Sequence, residues 1–187
     1  MNNPKNQRVL DRLIEGNRRY LAESRPLGDV SPALRRRTAD EGQQPCAIVI
    51  SCSDSRVIPE SLFSAGLGEL FVIRVAGNVL DKHQLGSIEY AAAHLHCRLV
   101  VVLGHSGCGA IAAALSGGGE GTIAAITDEI LRAVGTERDP DRACCLNVQH
   151  AVALIRREFA EHPEIPAQEL DVLGAVYDIR SGDIRWL

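Results

Sequence analysis

The sequence predicts an α/β fold in which helices flank a mostly parallel central sheet. Three short apolar runs, at 46–51, 70–76 and 98–104, are separated by segments with helical periodicity. Continuous runs of Val, Ile and Leu without polar alternation are typical of strands that are covered on both faces, as in a parallel sheet. The order of these elements along the chain is that of successive βαβ units.

The N-terminal third begins with an amphipathic helix. Residues 5–23 carry apolar side chains at helical spacing with charged residues between them, which predicts a helical arm ahead of the sheet. The stretch PLGDVSP, residues 26–32, contains two prolines and a glycine and predicts a loop. The sheet therefore begins after this arm and its loop.

The rest of the chain is predicted to be mostly helical until its last residues. The helical patterns lie at 85–96, 110–115, 122–134 and 143–159, and the glycine-rich SGGGEG forms a turn before the third of them. The tail LDVLGAVYDIRSGDIRWL predicts two strands joined at SGD, the last of them antiparallel at the sheet edge. We find no linker, so a single domain over residues 1–187 is expected.

Composition and charge limit the classes of partner. The 187 residues carry 20 Lys and Arg against 24 Asp and Glu, so binding to nucleic acid or to an anionic membrane is not expected. No apolar run approaches the roughly 20 residues of a transmembrane helix, and the first residues lack a signal-peptide pattern. A cytoplasmic location is therefore expected, in which the six cysteines would be core residues, metal ligands or nucleophiles.

Two polar clusters follow predicted strands. SCSDSR ends the first strand and GHSGCG ends the third, and ligands of open parallel sheets bind beyond the carboxyl ends of the strands. In extended backbone, alternate residues face the same way, which predicts that Cys52, Asp54 and Arg56 share one side. His105 and Cys108 are three apart at the start of a helix and also share one side.

The combined donor set predicts a zinc site. Two thiolates and an imidazole, from Cys52, Cys108 and His105, select zinc over magnesium or calcium and leave a fourth tetrahedral position open. Asp54 could occupy that position or accept a proton from bound water. Arg56 could hold the Asp54 carboxylate by a bidentate salt bridge and so decide between the two.

These motifs carry a family resemblance. CSDSR followed by GHSGCG resembles the beta class of carbonic anhydrases, and GELFVIRVAGN, SIEYAAAHL and LIEGNRRY support it. The resemblance implies that zinc is bound by Cys52, His105 and Cys108, and that Asp54 and Arg56 control the fourth position. It also implies reversible hydration of carbon dioxide to bicarbonate and a proton, by attack of a zinc-bound hydroxide.

The resemblance, which is to the plant-like branch of the family, extends to a substrate pocket and to partners. It implies that Gln43, Phe71, Tyr90 and the Gly109 amide line the carbon dioxide pocket. It further implies a homodimer or homotetramer with pockets near the subunit interface. Val49 stands where the bicarbonate-regulated branch usually carries tryptophan, so that regulation is not expected.

Three other functions are compatible with parts of the sequence. Hydrolysis of carbonyl sulfide or carbon disulfide would use the same zinc site, and a zinc-dependent structural or sensing protein would keep the site without turnover. A serine hydrolase is suggested by LGHSGC, in which Ser106 would be the nucleophile. However, Cys108 stands where that motif requires glycine.

Other histidine and cysteine residues have structural interpretations. His94 and Cys97 repeat the spacing of His105 and Cys108 but are expected at a helix end and in the core. Cys144 and Cys145 lie in a helical pattern and are expected to contribute packing.

Overall fold

A five-stranded sheet forms the centre of the protein, whose computed structural model describes residues 3–22 and 28–187. The strands are β1 (Ala47–Ser51), β2 (Leu70–Arg74), β3 (Leu99–His105), β4 (Asp171–Tyr177) and β5 (Ile184–Trp186). Their order is β2-β1-β3-β4-β5, with β5 antiparallel to β4 at one edge and every other pair parallel. This confirms the predicted α/β fold and its antiparallel hairpin strand.

Helices connect and cover the strands. They are α1 (Pro4–Ala22), α2 (Pro32–Glu41), α3 (Pro59–Leu62), α4 (Lys82–His94), α5 (Gly109–Leu115), α6 (Ala124–Val134) and α7 (Pro140–Glu158), with short 3-10 turns at Ala76–Asn78 and Gly121–Ile123. Residue 23, the last of the predicted N-terminal helix, and residues 26 and 27 of the predicted loop lie outside the described residues.

Helix α2 was not predicted from the sequence. Ser31 caps it, with its hydroxyl accepting a hydrogen bond from the Leu34 amide at 3.2 Å. Pro32 occupies the first helical position, where its missing N–H costs nothing, and Gly42 ends the helix at φ 81°. The predicted loop therefore ends at Ser31, and the same Ser-Pro pair starts a helix.

The two faces of the sheet are covered by different helices. Ile48 and Ile50 of β1 pack with residues of α4 and α7, whereas Val49 packs with Leu13 of α1 and Leu62 of α3. All residues of β1 and β3 are buried, as expected for central strands of a parallel sheet. Among the described residues, no helix has the length and apolar character needed to span a membrane.

Helix α7 lies unusually close to two strands because each of them presents a glycine. A Cβ atom added at Gly104 of β3 would lie 2.6 Å from Val148 Cγ2, and one added at Gly174 of β4 would lie 2.8 Å from Val148 Cγ1. Real Cβ atoms do not approach other atoms so closely. The two glycines therefore fix the distance between α7 and the strand that ends in His105.

Candidate metal centre

Three buried side chains converge at the carboxyl edge of the sheet. Cys52 follows β1, His105 ends β3, and Cys108 directly precedes α5. The ligand atoms of these residues all lie within 4.8 Å of one another, and their exposed fractions are 4%, 1% and 5%. Both polar clusters predicted from the sequence thus meet in one place, and they form a group that could bind a metal ion.

The imidazole of His105 is oriented for ligation. Its Nδ1 lies 3.0 Å from the Ser106 carbonyl oxygen, which makes Nδ1 the protonated nitrogen and leaves a lone pair on Nε2. The Nε2 atom is buried and has no hydrogen-bond partner among the described residues. A buried nitrogen without a partner is costly, and a metal ion at this position would satisfy it.

The sulfur of Cys52 accepts hydrogen bonds from the backbone. The amides of Asp54 and Gly77 donate to Sγ at 3.4 and 3.3 Å. Hydrogen bonding with Cys108, and to a smaller extent with His105, lowers the pKa of Cys52, whereas the hydrogen bond with Cys52 raises the pKa of Cys108. A divalent cation bound by both sulfurs would release the protons that remain on the two thiols and would be held by two thiolates.

Asp54 and Arg56 form a bidentate ion pair beside these donors. Arg56 Nε donates to Asp54 Oδ1 at 2.9 Å and Nη2 donates to Oδ2 at 2.7 Å. This contact holds the pKa of Asp54 well below its usual range, so that the carboxylate is ionised at neutral pH. Asp54 Oδ2 lies 3.9 Å from His105 Nε2, at the margin of the donor group.

The reason for the Asp54–Arg56 contact differs from the one expected. The strand ends at Ser51, and the backbone turns at residues 55 and 56, so side-chain alternation along an extended chain does not apply. Instead the Arg56 amide donates to Asp54 Oδ1 at 2.9 Å, closing a local turn around the carboxylate. The turn places the guanidinium against the acid.

Two contacts of this loop were not predicted from the sequence. Arg74, at the end of β2, donates to the carbonyl oxygens of Cys52 and Asp54 at 3.1 and 2.7 Å. Gly77 supplies the amide that contacts Cys52 Sγ. The glycine in RVAGN is a sequence signal for this turn, because the backbone there needs a residue without a side chain. Gly77 has φ 67°, and an added Cβ would lie 2.9 Å from Ile130 Cδ1.

The expected substrate-pocket residues do not gather around this site within one chain. Gln43 is exposed in the loop before β1, and five extended residues of that strand, about 16 Å, separate it from the carboxyl edge. Phe71 pairs with Ile48 in the first half of β1 and contacts Tyr90 of α4, with ring centroids 6.3 Å apart. Only Gly109, the first residue of α5, lies beside the donors.

The other cysteines and histidines have structural surroundings. His94 is exposed at the end of α4, whereas Cys97 is buried and burial raises its pKa to about 12. Cys144 is also buried, and its Sγ donates to the His105 carbonyl oxygen at 3.4 Å. None of the three belongs to a metal-binding group among residues 3–22 and 28–187.

The surroundings of Ser106 do not favour a serine hydrolase. Its hydroxyl accepts a hydrogen bond from the Ile179 amide at 3.1 Å, and its amide donates to the Tyr177 carbonyl oxygen at 2.9 Å. The neighbouring His105 directs Nδ1 to the Ser106 carbonyl rather than to the hydroxyl. These contacts give Ser106 a role in holding the loop.

Comparison with known proteins agrees with this geometry. A family model described as carbonic anhydrase matches residues 47–184. The chain is 38% identical over 185 residues to a carbonic anhydrase of Mycolicibacterium smegmatis, covering 92% of this chain and 89% of the relative. It is also 38% identical over 181 residues to carbonic anhydrase 2 of Mycobacterium tuberculosis, covering 91% and 87%.

Solved structures extend the similarity to the beta class. A beta-carbonic anhydrase of Aspergillus fumigatus superposes with a TM-score of 0.70 at 28% identity, covering 83% of this chain and 81% of that one. One of two tetrameric beta-carbonic anhydrases of Sordaria macrospora has a TM-score of 0.69 at 31% identity, with coverage of 84% and 87%. The resemblance seen in the motifs is therefore confirmed over most of the chain, which belongs to the beta-carbonic anhydrase family.

Proposed function

We propose that the chain catalyses the reversible hydration of carbon dioxide to bicarbonate and a proton at a zinc ion held by Cys52, His105 and Cys108. The observation that carries this proposal is the convergence of three buried donor atoms within 4.8 Å, one of them the unpartnered Nε2 of His105. Two sulfurs and one imidazole nitrogen fit zinc, and they leave room in its coordination for a fourth group.

The metal and the protein divide the chemistry between them. When bound, zinc supplies the Lewis acidity that lowers the pKa of a coordinated water towards ~7 and so provides a nucleophile at neutral pH. The residues of the chain would bind the metal and orient its ligands. The carbonyl of Ser106 fixes the tautomer of His105, and the amides of Asp54 and Gly77 hold the sulfur of Cys52.

Asp54 is proposed to accept a proton and to control the fourth position. Arg56 keeps the Asp54 carboxylate ionised and holds it in a two-point contact, which would leave the remaining coordination position of a bound metal to water and substrate. If Arg56 released it, Oδ2, which lies 3.9 Å from His105 Nε2, could become a fourth ligand. Arg74 holds this loop by donating hydrogen bonds to the carbonyl oxygens of Cys52 and Asp54.

The substrate pocket is proposed to be completed by a second copy of the chain. Gly109 is beside the donors, whereas Gln43, Phe71 and Tyr90 lie elsewhere in the same chain, with Tyr90 48% exposed. A homodimer, or a homotetramer such as those of the Sordaria macrospora relatives, would bring a neighbour's copies of these residues to the site. This arrangement would give carbon dioxide an apolar wall beside the metal.

Location and domain organisation complete the proposal. All six cysteines are unpaired, which fits a reducing compartment, and we propose that the protein acts in the cytoplasm. We also propose that residues 1–187 act as one catalytic domain with α1 as its N-terminal arm.

An assay of carbon dioxide hydration tests the function. Stopped-flow measurement with a pH indicator should show turnover that a zinc chelator removes and added zinc restores. Carbonyl sulfide run beside it distinguishes the alternative hydrolase, since faster turnover of carbonyl sulfide would replace the proposal. Stoichiometric zinc with neither activity would indicate a structural or sensing protein.

A further inference from the structure

A buried amide on α7 contacts the loop that supports Cys52. The side chain of Asn147 is only 3% exposed and lies among the apolar residues by which α7 packs on the sheet. Its Nδ2 donates to the Gly77 carbonyl oxygen at 2.8 Å, across 70 residues of sequence. A buried amide in the middle of a helix is unfavourable unless it is hydrogen-bonded, so this contact accounts for an otherwise costly residue.

The contact bears directly on the sulfur of Cys52. Gly77 presents its carbonyl to Asn147 and its amide to Cys52 Sγ, at 3.3 Å. The Gly77 peptide units are therefore held from two sides, in a left-handed conformation that a larger residue would strain. Fixing the carbonyl limits rotation of this turn and keeps the N–H directed at the sulfur.

The same helix also contacts the other half of the donor group. Three residues before Asn147, and so on the same side of α7, Cys144 donates to the His105 carbonyl oxygen at 3.4 Å. Because α7 is fixed against β3 at Gly104, the helix serves as a common reference for the loop of Cys52 and the strand of His105.

We propose that Asn147 is a positioning residue of the metal centre, which aims the Gly77 amide at the Cys52 thiolate and sets the spacing between Cys52 and His105. This inference rests on the proposed metal-ligand role of Cys52. A hydrogen bond to a ligating sulfur withdraws electron density from it, and loss of such outer partners typically lowers metal affinity or activity about 10- to 100-fold.

Cadmium binding provides a readout that does not depend on activity. Cd²⁺ is titrated into chelator-treated full-length protein in competition with a chromophoric chelator, and the sulfur-to-cadmium charge-transfer band is recorded. Asn147→Leu should lower Cd²⁺ affinity about 10- to 100-fold, because Cys52 is no longer held in its ligating position. It should also move the band to longer wavelength, because a sulfur that has lost the Gly77 hydrogen bond gives up electron density more easily. In the zinc-loaded Asn147→Leu variant, the NMR signal of the Gly77 amide proton should lie upfield of its position in the zinc-loaded wild type, because its hydrogen bond to Cys52 Sγ is weakened.

Matched variants separate positioning from stability. Val152→Ala removes a buried α7 side chain that faces Gly174 and not the donor group, so it should lower stability but leave the affinity and the band unchanged. Asn147→Ser removes the amide donor and keeps a small polar group, in case the leucine variant does not fold.

The outcomes are distinguishable. Wild-type affinity and band position in both Asn147 variants would overturn the proposal, as would an equal loss of affinity in Val152→Ala. A wild-type protein that shows no sulfur-to-cadmium band would instead refute the metal site itself, and the positioning role with it.

Discussion

The two edges of the sheet at which the central strands begin and end differ in how many of the expected site residues one chain brings together there. At the carboxyl edge, the donor atoms of Cys52, His105 and Cys108 are buried, and hydrogen bonds with Asp54, Gly77 and Ser106 hold Cys52 and His105 in place. Towards the amino edge, Gln43 and Tyr90 are exposed, and Phe71 contacts Tyr90 but no part of the donor group. Under the proposed function, one chain would supply all three metal ligands, whereas the substrate pocket would need residues from a second copy.

Removing a donor should have the largest effect. Cys108→Ala is expected to lose more metal affinity than the 10- to 100-fold typical of an outer partner, because a ligand and its charge are removed together. Zinc content per chain, measured by elemental analysis after gel filtration, should fall from about one towards zero, and activity with it. Cys97→Ala is the matched control, since Cys97 is equally buried but outside the donor group. Full zinc content in Cys108→Ala would refute the assignment.

Asp54 tests the chemistry of the carboxyl edge without removing the metal. Asp54→Ala should retain zinc and lower kcat about 10²- to 10⁴-fold, because a positioned proton acceptor contributes that much. Zinc content and stopped-flow rates are measured on the same preparation. Asp40→Ala changes an exposed carboxylate on α2 and should leave both unchanged. Undiminished turnover in Asp54→Ala would contradict the acceptor role.

Mixing two inactive variants tests whether a second copy of the chain completes the substrate pocket. Cys108→Ala chains lack the metal site but carry Gln43, and Gln43→Ala chains have the reverse defect. Random pairing of the two variants puts about half of the chains in mixed dimers. One of the two sites in each mixed dimer is complete, so co-refolding should restore about a quarter of wild-type activity. Gln43→Ala refolded alone is the control. No recovery in mixtures that gel filtration and mass spectrometry show to be mixed dimers would mean that each chain completes its own pocket.

The smallest expected effect is on the free energy of unfolding at alkaline pH, and it comes from Cys97, which precedes β3. Burial raises the pKa of Cys97 to about 12, whereas an unfolded cysteine titrates near ~8.5. The unfolded state therefore releases the proton first, so the stability from the neutral thiol is complete below about pH 8.5 and declines as pH rises towards 12. The slope is at most about 1.4 kcal/mol per pH unit. Urea unfolding between pH 8 and 10.5 should show a shallower decline in Cys97→Ala than in the wild type, and equal slopes in the two proteins would contradict the prediction.

Local pattern was sufficient to predict the strands and the donors. Continuous β-branched runs identified β1, β2 and β3, and the donors lie where two of those strands end. Helix α2 was missed because its start signal, Ser31 followed by Pro32, also reads as a turn. The Asp54–Arg56 pair was predicted, but through alternation rather than the local turn that forms it.

Contacts between distant segments could not be predicted in this way. The hydrogen bond from Asn147 to Gly77 joins α7 to a turn 70 residues earlier, and nothing in the periodicity around Asn147 identifies its partner. The location of Gln43 could not be predicted either, because its distance from Cys52 in space depends on the direction of β1 and not on the eight residues between them. Both the Asn147–Gly77 hydrogen bond and the location of Gln43 depend on how distant segments pack together.

The position of β3 in the sheet has a consequence for biosynthesis. On one side β3 pairs along its whole length with β4, so that His105 is registered against Tyr177. Between the end of β3 at His105 and the start of β4 at Asp171 lie 65 residues of helix and loop, which are synthesised before β4. Until then β3 has a free edge and the His105 loop lacks the Tyr177 carbonyl that anchors Ser106. We therefore expect the proposed metal site to form only once β4 has paired with β3, so that metal binding in the cell would follow the synthesis of residues 171–177.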